Sequence, residues 1–175
     1  MQRIATDLLD YLSDPATALP ESIGVEEMAA RLVSLHRQGG GATFNLYFGD
    51  MAGQNLYAVA LYPERSATLE GATLSADDLR DYIQAALPLL QDARNNIGTW
   101  YNRDTGETYL DVSTTLADRG DAITMADEYN QIAIYDLARR SEIATGGTGE
   151  APDGSPPVGE RLPKLVRGDG KHNDG

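Results

Sequence analysis

Hydrophobic residues recur at helical spacing in the N-terminal part of the chain. Between Ile4 and Leu12 they fall on one face of a helix, and the run ends before Pro15 because the residue preceding a proline avoids helical backbone angles. A longer hydrophobic stripe runs on from Val25. It follows Gly24, carries acidic residues in its first turn and ends in three glycines, as helices commonly do. The pattern therefore predicts two amphipathic helices at the start of the chain.

After the second helix, the hydrophobic residues alternate with polar ones as they do in a β-strand. Residues 42–48 and 55–62 are rich in aromatic and β-branched side chains, and a loop with two glycines separates them, which predicts a β-hairpin. A third helix is predicted to begin at Ser75, whose hydroxyl can cap the first turn. Its hydrophobic face continues to Leu90, and Pro88 is predicted to kink or split this helix.

A second hairpin is the best-defined local pattern in the chain. Two alternating segments, 98–102 and 107–113, flank a short turn in which Gly106 can take the left-handed conformation of a bulged hairpin loop. Asp118 then suits the N-cap of a fourth helix, and residues 132–137 are predicted to form a closing strand.

These elements occur in the order α-α-β-β-α-β-β-α-β. Amphipathic helices gathered on one face of a mainly antiparallel sheet bury each hydrophobic stripe once, so the order predicts an α+β two-layer sandwich spanning residues 1–140. Residues 141–175 are rich in glycine and proline, with few aliphatic side chains to offset the entropy of ordering them. They are predicted to form a disordered tail.

Charge and composition exclude several functional classes. The chain has 27 acidic and 14 basic residues, a formal net charge of −13 that repels phosphate backbones, so direct nucleic-acid binding is not expected. Because there is no cysteine, disulfides, thiolate zinc sites and cysteine nucleophiles are excluded. No segment has the run of apolar residues needed to span a bilayer, so we expect no membrane association and a location in the host cytoplasm or a virion.

Candidate catalytic and metal-binding residues are few. His36 and His172 are the only histidines, and they are far apart in the sequence. Asp77, Asp78 and Asp81 cluster on one helix, where placement in the first turn accounts for several such carboxylates. The glycine-rich runs match neither a phosphate-binding loop nor a dinucleotide fingerprint. The sequence therefore predicts no catalytic residue, no metal site and no cofactor.

The predicted interaction surface combines the second hairpin with the tail. If Trp100 and Tyr109 alternate onto the exposed face they form an aromatic anchor of the kind that dominates protein interfaces, and if they face inward they belong to the core. The candidate residues are Trp100, Tyr101, Asn102, Arg103, Asp104 and Tyr109 in the hairpin and Arg161 and Leu165 in the tail.

Part of the chain resembles a module of unknown activity that recurs in proteins of actinobacteria and their phages and prophages. The matching segments are 98–101 (GTWY), 105–106 (TG), 109–113 (YLDVS), 130–137 (NQIAIYDL) and 145–149 (TGGTG). The resemblance implies that the protein belongs to a phage or mobile element. It identifies no functional residue, because the module has no known activity.

Three functions follow as hypotheses. The first is a non-enzymatic protein-interaction protein, accessory or virion-associated, with a phage or host protein as its partner. The second is an acidic nucleic-acid mimic that inhibits a host DNA-binding or defence enzyme, which the net charge of −13 motivates. The third is a small hydrolase or ligand-binding domain built on an acidic cleft.

Overall fold

The structure is a computed structural model that describes residues 2–163 and 165. Within this part of the chain the helices are α1 (Leu8–Ser13), α2 (Val25–Gly39), α3 (Ala76–Leu90) and α4 (Arg119–Glu128). The strands are β1 (Gly41–Asn45), β2 (Gly49–Asp50), β3 (Tyr57–Ala60), β4 (Ala67–Glu70), β5 (Asn95–Asn102), β6 (Glu107–Leu116), β7 (Ala133–Asp136) and β8 (Ser141–Ala144). None of the helices in these residues is long and apolar enough to cross a membrane.

The helices begin where the cap residues predict. The Ser75 side chain accepts a hydrogen bond from the Asp78 amide and starts α3, and Asp118 accepts one from the Asp121 amide and starts α4. Gly40, with a φ of 74°, ends α2 in the left-handed conformation. These boundaries are set by local chemistry, and the predicted starts of α3 and α4 are confirmed. Helix α1 is shorter than predicted, because Asp7 caps it and it begins at Leu8, which leaves Ile4 outside the helix and exposed.

The β5–β6 hairpin forms the centre of a curled antiparallel sheet. Its register runs from Asn95 opposite Thr114 to Asn102 opposite Glu107, and Gly106 has a φ of 73° in the connecting turn. The strand order is β2-β1-β5-β6-β3-β7-β8, and β4 pairs with β6 next to β3. The second predicted hairpin is confirmed.

The first predicted hairpin is wrong. Residues 42–48 and 55–62 do not pair with each other, because β1 pairs with β2 and β5, whereas β3 lies across the sheet between β6 and β7. Alternation of hydrophobic side chains identifies a strand but does not specify its partner. Here the chain passes from one side of the central hairpin to the other between the two strands.

Three helices cover one face of the sheet and enclose the main core. Leu32 of α2, Ile83 of α3 and Ala126 of α4 pack with Ile97 and Val112 of the central hairpin. The mixed helix and sheet content and the antiparallel sheet confirm the α+β class. We call the side covered by these helices the helical face and the opposite side the outer face.

Helix α1 belongs to a second, smaller core. Leu8 packs there with Met51, Leu56 and Ala58. Ala58 and Val59 are neighbours on β3 and point to opposite sides, Val59 into the main core and Ala58 into the second. The N-terminal helix therefore covers part of the outer face, in contrast to the prediction of helices on one face only.

The sheet continues past residue 140, where the sequence predicts that the domain ends. Strand β8 pairs with β7, with Ala133 opposite Ala144 and Asp136 opposite Ser141. The glycine-rich segment that follows hydrogen-bonds to the turn before β7, through Gly147 N–H to the Gln131 carbonyl. The predicted tail thus begins with one more strand of the sheet.

Candidate functional site

The outer face of the central hairpin carries the two aromatic residues that the sequence singles out. Side chains of adjacent strand residues alternate, so Ile97 and Val112 point to the helical face whereas Trp100 and Tyr109 point to the outer face. Trp100 is 47% exposed. Of the two arrangements that the sequence leaves open, the structure shows the exposed one.

Trp100 and Tyr109 form a stacked pair. They are direct partners in the β5–β6 register, with ring centroids 5.5 Å apart and an angle of 29° between the ring planes. The Tyr109 hydroxyl donates a hydrogen bond to Glu107 Oε2 at 3.2 Å. Stacking and this hydrogen bond fix both rings, so little side-chain entropy remains to be lost on binding.

Acidic side chains surround the aromatic pair. Glu107 lies two residues before Tyr109 on the same face, and Glu70 of β4 is its direct cross-strand partner. Asp111 lies two residues after Tyr109, also on the outer face. Like charges placed opposite each other on a sheet repel, so this arrangement attracts a cation. We call Glu70, Trp100, Glu107, Tyr109 and Asp111 the outer-face patch.

Asp111 lies over a glycine. Its register partner is Gly98, and a Cβ atom added there would come within 3.2 Å of the Asp111 carboxyl carbon. Burial among neighbouring atoms raises the pKa of the Asp111 carboxyl to about 6. Two residues further along the strand, Ser113 Oγ is buried and has no hydrogen-bond partner within the described residues. This end of the patch therefore contains the partly desolvated carboxyl of Asp111 and the Ser113 hydroxyl, which makes no hydrogen bond within the described residues.

The Asp111→Asn variant is expected to be less sensitive to pH than the wild type. The pKa of about 6 in the folded protein lies above the ordinary value of 3.8, so folding favours the protonated form. The wild type then loses about 3 kcal/mol of stability between about pH 4 and 7 as this carboxyl ionises, and the asparagine variant does not. Urea unfolding of both proteins at several pH values measures the difference, and parallel pH profiles would contradict this account of Asp111.

The remaining predicted hairpin residues lie at or near the turn. Tyr101 is half-buried and alternates to the side opposite Trp100. The Asn102 side chain accepts a hydrogen bond from the Asp104 amide at 2.9 Å and shapes the turn, where Arg103 and Asp104 are exposed. The structure therefore brings Trp100 and Tyr109 together and leaves the turn residues at the end of the patch.

Arg161 and Leu165, the two tail residues of the predicted surface, lie elsewhere. Arg161 is 8% exposed and contacts Tyr62 and Tyr129, both of which belong to the main core. Leu165 lines a cavity of about 380 Å³ with Pro88 and other residues. Both thus contact their own domain, in a place separate from the outer-face patch.

The residues considered for catalysis make hydrogen bonds and ion pairs within the fold. His36 is buried, with Nδ1 2.9 Å from Thr99 Oγ1 and Nε2 3.2 Å from the Ala72 carbonyl oxygen, and burial lowers the pKa of its imidazole. It joins α2 to β5. Arg80 pairs with Asp77 at 3.2 Å and with Glu26 at 3.4 Å, which partly neutralises the acidic start of α3.

The described residues contain no group of three or more histidine, cysteine, aspartate or glutamate side chains arranged to hold a metal ion. His172 lies outside the described residues.

The carboxylates of the outer-face patch were not predicted from the sequence as part of a site. Asp111 and Glu107 fall within the second predicted hairpin, and strand alternation alone would have placed them on the same face as Tyr109. Glu70 lies on β4, which the sequence analysis did not predict, so its position opposite Glu107 required the structure. The chain matches no protein-family model, no curated protein and no solved structure.

Proposed function

We propose that the protein is a non-enzymatic protein-interaction module whose outer-face patch binds an extended segment of a protein partner that carries arginine or lysine. The observation that carries the proposal is the exposed Trp100, stacked on Tyr109 and flanked by the carboxylates of Glu70, Glu107 and Asp111. Tryptophan and tyrosine supply much of the binding energy of protein interfaces. The carboxylates determine which charge the partner must bring.

A cationic side chain fits this patch by two interactions. A guanidinium or ammonium group is attracted to the face of an aromatic ring, and most strongly to tryptophan. The same group can form an ion pair with a carboxylate beside the ring. The chain itself uses this combination, since the Arg161 guanidinium lies 5.6 Å from the ring centroids of Tyr62 and Tyr129 and pairs with Glu64.

The biological setting of the proposal comes from the resemblance to the actinobacterial and phage module. On that basis the partner is a phage or host protein, and the module acts as an accessory or virion-associated protein. The net charge of −13 supports a basic partner, because a strongly acidic surface accelerates association with a protein of opposite charge.

A random peptide library selected against the full chain tests the proposal. We expect the selected peptides to be enriched in arginine or lysine, and Trp100→Ala to weaken their binding at least about tenfold because the variant removes the central aromatic contact. Ile132→Ala is the matched control. Ile132 is a large hydrophobic residue that is 61% exposed and lies outside the patch, so its truncation should leave the affinity unchanged. Fluorescence anisotropy with labelled peptides measures both variants.

Two results would count against the proposal. One is equal loss of affinity in Trp100→Ala and Ile132→Ala, which would mean that exposed hydrophobic surface in general binds the peptides. The other is selection of peptides with no excess of basic residues, or binding that does not weaken when the salt concentration rises, because the charge of the patch would then have no role.

A further inference from the structure

The side chain of Arg161 occupies a site built by the domain. Its Nη1 donates to the Leu61 carbonyl oxygen at 2.7 Å and forms an ion pair with Glu64. The rings of Tyr62 and Tyr129 lie on the guanidinium, each with its centroid 5.6 Å away. We call Leu61, Tyr62, Glu64 and Tyr129 the arginine socket.

The socket belongs to rigid parts of the fold. Tyr62 follows β3 in the main core, and its hydroxyl accepts a hydrogen bond from Asn95 Nδ2 of β5 at 3.3 Å. Tyr129 caps the C-terminus of α4 and is 5% exposed. Glu64 lies in a short 3₁₀ turn (Pro63–Arg65) directly after β3. The aromatic rings and the carboxylate are therefore held in place by the sheet and α4.

The segment that carries Arg161 is attached mainly by side chains. Residues 156–163 form no strand with the sheet, and Arg161 Nε donates to the carbonyl of Pro156 within the same segment. Within the described residues, the other attachments of this segment are the hydrogen bond from Arg94 Nη1 to the Pro163 carbonyl at 2.7 Å, the packing of Val158 and Leu162 on the core, and Leu165, which lines the cavity beside Pro88. Because this segment has no strand pairing with the sheet, it opens at a lower free energy than the domain needs to unfold.

We propose that the arginine socket is a binding site for an arginine side chain supplied in trans, which replaces Arg161 when the C-terminal segment opens. The ligand is an arginine followed by hydrophobic and proline residues, as in residues 161–163. Arginine is specified over lysine because its planar guanidinium lies over two rings while it donates to a carbonyl and a carboxylate. The C-terminal segment acts as the internal competitor.

The test uses the full chain and a synthetic peptide with the sequence of residues 156–165. Arg161→Ala removes the internal competitor, so we expect it to bind the peptide at least about tenfold more tightly than the wild type does. A peptide with alanine in place of its arginine should show no such gain in affinity from Arg161→Ala. Glu64→Gln, added to Arg161→Ala, should weaken binding about tenfold because it removes the ion pair.

Circular dichroism first establishes that Arg161→Ala is folded. If it is not, Arg161→Lys serves instead, since lysine keeps the charge but gives up the planar contact with the two rings. Equal binding of the arginine and alanine peptides, or equal affinity of the variant and the wild type, would overturn the proposal.

Sedimentation equilibrium of the wild type distinguishes the source of the arginine. A dimer that forms at high concentration and is lost in Glu64→Gln identifies a second copy of the chain as the source. A monomer at every concentration, together with peptide binding by Arg161→Ala, identifies a separate protein as the source. Because the peptide carries basic residues of the kind that the outer-face patch is proposed to bind, the comparison is repeated in the Trp100→Ala background. A gain from Arg161→Ala that persists there belongs to the socket, whereas a gain that is lost there would overturn the proposal, so failure of the socket and failure of the outer-face patch are distinguishable.

Discussion

Replacing Asn45 with alanine is expected to lower the free energy of unfolding by about 3–5 kcal/mol, a large part of the stability of a domain of this size. Asn45 is completely buried. Its Nδ2 donates to the Ala93 carbonyl at 2.7 Å and to Asn96 Oδ1 at 2.8 Å, and its Oδ1 accepts from the amides of Tyr47 and Phe48. Alanine would leave all of these groups without the partner that asparagine supplies, at about 1–3 kcal/mol for each group that stays buried.

Asn102→Ala is the matched control for this prediction. Asn102 accepts a single side-chain hydrogen bond, from the Asp104 amide, in an exposed turn where water replaces the lost oxygen. Its truncation is expected to cost less than about 1 kcal/mol. Urea unfolding followed by circular dichroism measures both variants. Similar losses in the two would contradict the central structural role given to Asn45.

The second large effect is expected from Gly147→Ala, which should destabilise the fold by about 2–4 kcal/mol. A Cβ atom at Gly147 would lie only 2.6 Å from backbone atoms of Asn130 and closer still to the Gln131 carbonyl oxygen. Backbone atoms at this distance cannot rotate away as a side chain can. The Gly147 amide donates to that same carbonyl, and the Gly149 amide donates to the Asn130 carbonyl, so the alanine variant must break this contact to relieve the clash.

Gly39→Ala provides the comparison. Gly39 is the last residue of α2, is exposed and has nothing within 4 Å of an added Cβ atom. Alanine there should be neutral or stabilise by up to about 1 kcal/mol, because it reduces the entropy of the unfolded chain. Thermal and urea unfolding should therefore show a loss of stability in Gly147→Ala and no loss in Gly39→Ala. A neutral Gly147→Ala would mean that the 145–149 segment does not hold the turn before β7.

The sequence predicted the elements whose signals are local. Ser75 and Asp118 cap helices by binding backbone amides of the first turn, and Gly106 permits the turn of the central hairpin. These helix starts and this turn therefore do not depend on the rest of the fold. The aromatic pair was found for the same reason, since Trp100 and Tyr109 are close in a hairpin of known register. Which face they occupy was left open, because hydrophobic residues occur on both faces of this hairpin and only the position of the helices decides between them.

The features that sequence analysis missed depend on contacts between distant segments. Residues 42–48 and 55–62 alternate as strands should, yet each pairs with a strand far along the chain. Asn45 and Asn96 have the polarity of surface residues, but their side chains satisfy each other and nearby carbonyls in the interior. Glu70 acquires its significance only from lying opposite Glu107.

Arg161 shows the limit of reasoning from composition. A segment rich in glycine and proline has little apolar surface to bury, and on that ground residues 141–175 were predicted to be disordered. A single arginine changes this locally, because its guanidinium fills a site between two tyrosine rings and a carboxylate. Amino-acid composition cannot identify a single residue that anchors a segment. The contact of Arg161 with Tyr62 and Tyr129 is visible only in the structure.

Trp100 reports directly on the proposed binding of a basic partner segment to the outer-face patch, because it is the only tryptophan in the chain. The decisive measurement is a fluorescence titration of the full chain with a selected arginine-bearing peptide that contains no tryptophan. We predict that the emission of Trp100 shifts and its quenching by acrylamide falls, with the same midpoint as binding measured by anisotropy. Binding of the peptide with unchanged Trp100 emission and unchanged quenching would contradict binding at the outer-face patch.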